Sequence, residues 1–298
     1  MSTIIYSRPV DTYNINDWNY GSLSSSSATQ FQLTDGVHTT DAKGIFFSNS
    51  VTGLAGTVTG MSWSEAGSPV LSISDININV QQLLAGRISV QDKLFEGDDN
   101  ITGSYGSETF FTMTGNDTID GAGGLDAVAY SGGKNDVSVS ADGAGYKVST
   151  NGKVDTLVNI ERINMGDGSV LALDVKAGEN TGTAYRLYQA ALDRKPDAEG
   201  LKFWTNQLDI GDSATQVAQG FVSSQEFKAL NPGSDPASLV NSYYQNVLHR
   251  AADAEGLAFW SDAMNNGMSS AQLLVAFSES QENINNSAAD LNNGVWLV

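Results

Sequence analysis

Gly115-Asn116-Asp117-Thr118-Ile119-Asp120-Gly121-Ala122-Gly123-Gly124-Leu125-Asp126 is the clearest part of a repeat that runs through the middle of the chain. Glycine stands at 97, 106, 115 and 124, an acid follows two residues later at Asp99, Glu108, Asp117 and Asp126, and an apolar residue two further on at Ile101, Phe110, Ile119 and Val128. Each step is nine residues, with all three positions in phase. The spacing has a physical meaning. Glycine permits a tight turn and positive φ, the acid presents an oxygen to a cation, and the apolar side chain enters a thin core shared by stacked repeats.

These residues resemble the glycine- and aspartate-rich nonapeptide (RTX) repeats of bacterial proteins exported by type I secretion. The resemblance implies a parallel β-roll in which two nonapeptides make one coil and Ca²⁺ sits between loops two repeats apart. Carried onto this chain, it pairs Asp99 with Asp117 and Glu108 with Asp126. Backbone carbonyls of the loops at Gly97, Gly106, Gly115 and Gly124 would supply further oxygens, since calcium takes about six to eight. Three positions depart from the pattern. Glu108 replaces the usual Asp, the loop Ser104-Tyr105-Gly106-Ser107 has lost a glycine, and Thr112 stands where another is common.

Before the repeats, Ser24 to about Val90 is rich in Ser, Thr, Gly and β-branched residues. The alternation in Val70-Leu71-Ser72-Ile73-Ser74 and Ile76-Asn77-Ile78-Asn79-Val80 predicts antiparallel strands, Gln81-Gln82-Leu83-Leu84 a single helical turn, and the run Ser24 to Ser27 a loop. After the repeats, Val137-Ser138-Val139, Tyr146-Lys147-Val148 and the segment Asp155 to Ile163 resemble the β-segment that commonly follows such repeats in the same secreted family, which implies strands closing the open end of the roll.

From about residue 176 the periodicity turns helical, and the chain repeats itself with a constant offset of 56. Tyr188, Arg194, Asp197, Glu199, Gly200, Phe203 and Trp204 recur as Tyr244, Arg250, Asp253, Glu255, Gly256, Phe259 and Trp260. Ser213 with Gln216, and Ser269 with Gln272, have capping-box spacing. The Arg-x-x-Asp-x-Glu-Gly-Leu-x-x-Trp core resembles a helical domain of unknown function found at the ends of many type I-secreted bacterial proteins, surface-layer and adhesin-like ones among them. The acid pairs read as ion-pair partners of the two arginines, the glycines as close-packing positions and the tryptophans as core. The last residues, Asp290 to Val298, end on an apolar group after a polar stretch and resemble an uncleaved type I export signal. No basic and apolar secretory leader is read in Met1 to Tyr20.

The expected organisation is therefore multidomain α+β: an N-terminal β-rich domain over 1–94, a β-roll with capping strands over 95–175, a duplicated helical domain over 176–287 with copies at about 183–231 and 239–287, and a tail over 288–298. Composition narrows the function. A formal charge of −19 repels phosphate backbones and anionic lipid headgroups, so nucleic acid and membrane surfaces are not expected partners, while a divalent cation would relieve the self-repulsion. No apolar segment is long enough for a membrane span. Cysteine is absent, the two histidines His38 and His249 lie far apart, and neither an HExxH nor a GxSxG motif occurs. The chain is expected to be a secreted, calcium-binding structural protein of the bacterial cell surface, such as a surface-layer, matrix, filament or adhesin subunit. Self-association and cell-surface polysaccharide are its candidate partners, and it is not expected to be an enzyme. The alternatives are a secreted hydrolase, which would need a carboxylate pair, and a carbohydrate- or ice-binding module, for which Trp63 and the pairs Phe203-Trp204 and Phe259-Trp260 are the candidate platforms.

Overall fold

The computed structural model describes residues 1–8, 22–49, 53–84, 95–111, 114–233 and 235–298. Thr112 and most of the segment leading into the first repeat lie outside them. The architecture is α+β, with one compact β unit, Met1–Gly168, and one largely helical unit, Ser169–Val298.

The β unit holds an antiparallel sheet of β1 (Thr3–Tyr6), β2 (Ser22–Ser26), β3 (Gln30–Thr34), β4 (His38–Asn49), β5 (Gly53–Glu65) and β6 (Ser68–Asn79), in the order β2-β3-β4-β5-β6-β1. The expected alternation holds where one face is covered. Leu71, Ile73, Ile76 and Ile78 are buried on β6, opposite Val58, Met61 and Trp63 of β5. Helix α1 (Val80–Leu84) is the expected single turn. The serine run differs from its reading as a loop, since Ser22–Ser26 pair antiparallel with β3 around a register shift. The sheet supplies hydrogen bonds that composition alone does not reveal.

The repeats form β7 (Asn100–Thr102), β8 (Thr109–Phe111), β9 (Thr118–Asp120) and β10 (Ala127–Tyr130), three or four residues each. They wind into a parallel roll with two walls. One wall is β1-β7-β9-β13, with β13 spanning Lys153–Val158, and its register places Ile4, Ile101, Ile119 and Leu157 side by side. The other is β8-β10-β14, with β14 spanning Arg162–Met165, which aligns Phe110, Val128 and Ile163. None of these seven apolar side chains is more than 2% exposed, so the thin core is dry. The roll is continued at both ends by segments that carry no glycine-rich repeat. β1 pairs parallel with β7 and antiparallel with β6, while β13 pairs parallel with β9 and antiparallel with β12 (Gly145–Thr150), which itself pairs with β11 (Val137–Asp142). Both edges of the first wall thus pass into antiparallel sheet, which uses the hydrogen-bonding groups a bare roll would leave open.

The second unit contains α2 (Asn180–Leu192), α3 (Ala198–Asp209), α4 (Ala214–Ser223) and α5 (Gln225–Leu230), repeated as α6 (Pro236–Leu248), α7 (Ala254–Asn265), α8 (Ser270–Ser278) and α9 (Gln281–Leu291). Each copy has four helices among the described residues, the last capped by Ser224 or Ser280. Both expected capping boxes form. Residues 288–298 make up the end of α9 and β16 (Val295–Trp296), which pairs antiparallel with β15 (Val170–Ala172), and Leu297 is buried. No helix among the described residues is long and apolar enough to cross a membrane.

Candidate metal centre

Winding the repeats brings the four acids together in the two expected pairs. The backbone N–H of Asp99 donates to Asp117 Oδ1 at 3.1 Å, and that of Glu108 donates to Asp126 Oδ1 at 2.7 Å. Each acid therefore sits one coil from its partner, in one of two columns. The columns run further than the repeats do. The N–H of Asp117 donates to Asp155 Oδ1 at 2.9 Å, and the N–H of Asp126 donates to Glu161 Oε2 at 2.7 Å. At the other end, the Ser2 N–H and hydroxyl donate to Asp99 Oδ1 at 2.9 and 2.7 Å. The aspartate column is Ser2-Asp99-Asp117-Asp155, and the second column is Glu108-Asp126-Glu161.

Ser2, Asp155 and Glu161 were not among the sequence candidates. Their signal was present in weaker form: Ser2-Thr3-Ile4, Asp155-Thr156-Leu157 and Glu161-Arg162-Ile163 keep the polar-x-apolar triplet of Asp117-Thr118-Ile119 but lack the glycine in phase. The β11–β12 hairpin separates the last two from the nine-residue step.

Asp99, Glu108, Asp117 and Asp126 are all 3% exposed or less. Asp99 Oδ2 and Asp126 Oδ2 are buried without a hydrogen-bond partner. A buried carboxylate oxygen with no donor costs free energy until a proton or cation reaches it. The electrostatics agree. Burial pushes the Asp117 carboxyl from 3.8 up to about 7, with the charges of Asp155 and Asp99 adding to the rise. Burial raises Asp126 to about 7 as well, reinforced by Glu108 and Glu161, and raises Asp99 against the hydrogen bonds from Ser2.

The loops approach closely enough to offer main-chain oxygens. Gly115 and Gly124 have φ of 104° and 124°, and a Cβ on either would overlap the backbone of the glycine one coil earlier, Gly97 or Gly106. Only glycine allows that stacking. Gly97 also has positive φ, at 92°. Glu108 behaves differently from the aspartates. Its longer side chain turns back on its own loop, accepting the Ser104 N–H at 3.0 Å and the Ser104 hydroxyl.

Two unpartnered oxygens in an acidic, glycine-lined stack fit a hard cation such as Ca²⁺. Among the described residues no three His, Cys, Asp or Glu side chains converge as a metal-holding group, so backbone carbonyls would have to complete the shell. The residues that would hold the ion are Asp99 with Asp117, and Asp126 with Glu108, around Gly97, Gly106, Gly115 and Gly124.

In the helical unit the repeated charges are satisfied by protein. Arg194 donates to Glu226 Oε1 at 2.9 Å and lies over the Tyr188 ring, and Arg250 repeats this with Glu282 and Tyr244. Asp197 and Asp253 cap α3 and α7. Gly200 and Gly256 face Tyr188 and Tyr244 with no room for a Cβ, as close-packing positions should. Trp204 and Trp260 pack partly buried on the core, whereas Phe203 and Phe259 are 54% and 64% exposed. Trp63 is buried and presents no sugar-stacking face.

Residues 177–231 and 233–287 each match the domain of unknown function (DUF4214). The C-terminal region is thus similar to a pair of these domains, and the two matched segments stand 56 residues apart. No curated protein matches the chain. Among solved structures, the apo hemophore HasA from Yersinia pestis is similar at 10% identity over 26% of this chain and 66% of that one, with a TM-score of 0.22. The extracellular lipase LipA from Serratia marcescens is similar at 18% identity over 23% of this chain and 13% of that one, with a TM-score of 0.15. The chain spans less than two thirds of either protein.

Proposed function

We propose that this chain is a secreted, calcium-stabilised structural protein of the bacterial cell surface, non-catalytic, whose β-roll gains its order from Ca²⁺ after export. The observation that carries the reading is the pair of buried, unpartnered carboxylate oxygens, Asp99 Oδ2 and Asp126 Oδ2, in columns of stacked acids. Two further features support it. The four repeat acids are shielded from any sizeable substrate, Asp99, Glu108, Asp117 and Asp126 being 3% exposed or less, which suits a structural ion better than an acid–base pair. The resemblance of the repeats to type I-exported proteins supplies the location, since extracellular calcium modules bind at about 10⁻⁴ to 10⁻³ M and stay empty at cytosolic calcium.

Calcium at about 100 times its dissociation constant contributes about 2.7 kcal/mol per site, enough to decide whether an acidic roll is ordered. The extended sheet of the β unit ends on β2 at one side and β11 at the other among the described strands, and these edges offer surfaces for subunit pairing. Isothermal titration with CaCl₂ tests the ion, and sedimentation velocity with and without calcium tests assembly. Saturable binding with growth of larger species is expected; an absence of binding heat together with an unchanged fold in chelator overturns the reading.

A further inference from the structure

The last rung of the aspartate column differs from the rungs before it, and the difference centres on one residue. In the repeats the position two before each acid is glycine, as in Gly97-x-Asp99 and Gly115-x-Asp117. At the last rung of the aspartate column that position is Lys153, in Lys153-Val154-Asp155. Its Nζ lies 3.5 Å from Asp155 Oδ2, and the ammonium stands 5.3 Å from the Tyr130 ring centroid. The Tyr130 hydroxyl donates to the same Oδ2 at 2.8 Å, while Oδ1 takes the Asp117 N–H. Asp155 is completely buried, yet both its oxygens are engaged, in contrast to Asp99 and Asp126. Lys153 is itself largely covered, its side chain 17% exposed, so its charge acts through little intervening water.

We propose that Lys153 stands in for a metal ion at the Asp155 rung, so that the aspartate column takes calcium between Asp99 and Asp117 and closes on a cation of its own. The glycine whose loop would cradle an ion is replaced by a residue that brings the positive charge, and the hydroxyl of Tyr130 supplies the second contact. The roll can then end without a further site, and its last coil is ordered before any calcium arrives. This assignment rests on the calcium reading for which rungs take metal, while the role of Lys153 as the counter-charge of Asp155 is measurable without metal.

The test uses the full chain in chelator and in calcium, with three variants: Lys153→Gln, Lys153→Arg and the double variant Lys153→Gln/Asp155→Asn. In chelator, Lys153→Gln leaves a buried carboxylate without its cation and should lower the melting temperature of the β unit by roughly 5–15 °C. Exchange of the Asp117 amide, whose acceptor is Asp155, should accelerate with it. Calcium should restore both and raise the binding stoichiometry by one ion over wild type. Lys153→Arg should keep wild-type behaviour, and the double variant, with neither charge, should regain most of the stability in chelator without the extra ion. If Lys153→Gln fails to fold in chelator, refolding on addition of calcium counts for the proposal. An unchanged melting temperature in chelator, or a loss that calcium does not reverse, overturns it. A wild-type protein that binds no calcium retires the calcium reading instead, and the chelator measurements on the three variants still decide whether Lys153 neutralises Asp155.

Discussion

The β-roll and the helical unit hold acidic residues under opposite conditions. In the roll, Asp99, Asp117 and Asp126 are buried in stacked columns, with Oδ2 of Asp99 and of Asp126 lacking any partner. In the helical unit, Glu226 and Glu282 lie at the surface, each gripped by an arginine of the same copy. At Asp99 and Asp126 one region holds charge that its own side chains do not neutralise, and the other neutralises its repeated charges pair by pair. The contrast teaches that the acidic excess is no uniform surface property. The part that bears on function is concentrated where glycine stacking brings carboxylates together out of water.

The largest effects should separate the two units by their cores. Ile119→Ala in the roll and Arg186→Met in the helical unit should each cost about 2–5 kcal/mol, the first by opening a cavity in a fully buried site, the second by stranding Glu279, which Arg186 holds through two bonds of 2.8 Å. Differential scanning calorimetry should show each variant lowering a different transition; a single transition that moves with both would break the comparison.

Asp126→Asn should give a smaller effect whose sign depends on calcium. The amide keeps the Oδ1 acceptor for Glu108 but removes a buried charge, so melting temperature should rise in chelator and the calcium-induced stabilisation should shrink. A variant destabilised equally in both conditions would mean that Asp126 contributes packing alone.

Acidification should move the two units in opposite directions. The native-state pKa of Asp117 and of Asp126, at about 7, lies above the 3.8 of an unfolded carboxyl, so the metal-free roll binds protons on folding. Its stability should increase as pH falls from 8 towards 4 and be lost again as pH rises through 7. In the helical unit, the backbone N–H of Gly200 lowers Asp197, that of Gly256 lowers Asp253, and the Arg250 guanidinium lowers Glu282. These groups stabilise above their unfolded pKa values, and that contribution should fade as pH falls through the lowered ones. Chelator-treated protein followed by circular dichroism across this range checks both signs.

The smallest effect belongs to Arg194→Ala. Its partner Glu226 is half exposed and solvent screens the pair, so the helical transition should barely move. A large drop would show that the arginine's stacking on Tyr188 matters more than its charge.

Much of this was legible in the sequence, for identifiable reasons. The nine-residue phase of Gly97, Asp99 and Ile101 onward revealed the repeats, and their resemblance to the nonapeptide family implied the roll and the pairing of its acids. The 56-residue offset revealed the duplication, and both expected capping boxes form. What escaped were residues that join the columns without belonging to the repeats. Ser2, just ahead of β1, lies 97 positions before its partner Asp99, and Asp155 follows Asp117 by 38, across a hairpin. Such contacts are set by which strand lies next to which, and no local pattern encodes that. The serine run was misread for a similar reason: its strand conformation depends on β3. The exposure of Phe203 and Phe259 was equally hidden, since helical spacing placed each beside a tryptophan that faces the core.

The most direct test of ion-ordered folding is hydrogen exchange of the intact chain, resolved to the amides of Asp99, Glu108 and Asp117, in EDTA and in millimolar calcium. Those amides should exchange far more slowly with calcium present, while helices α2 to α9 show no difference between the two conditions. Equal protection of the roll amides with and without the ion would contradict the account.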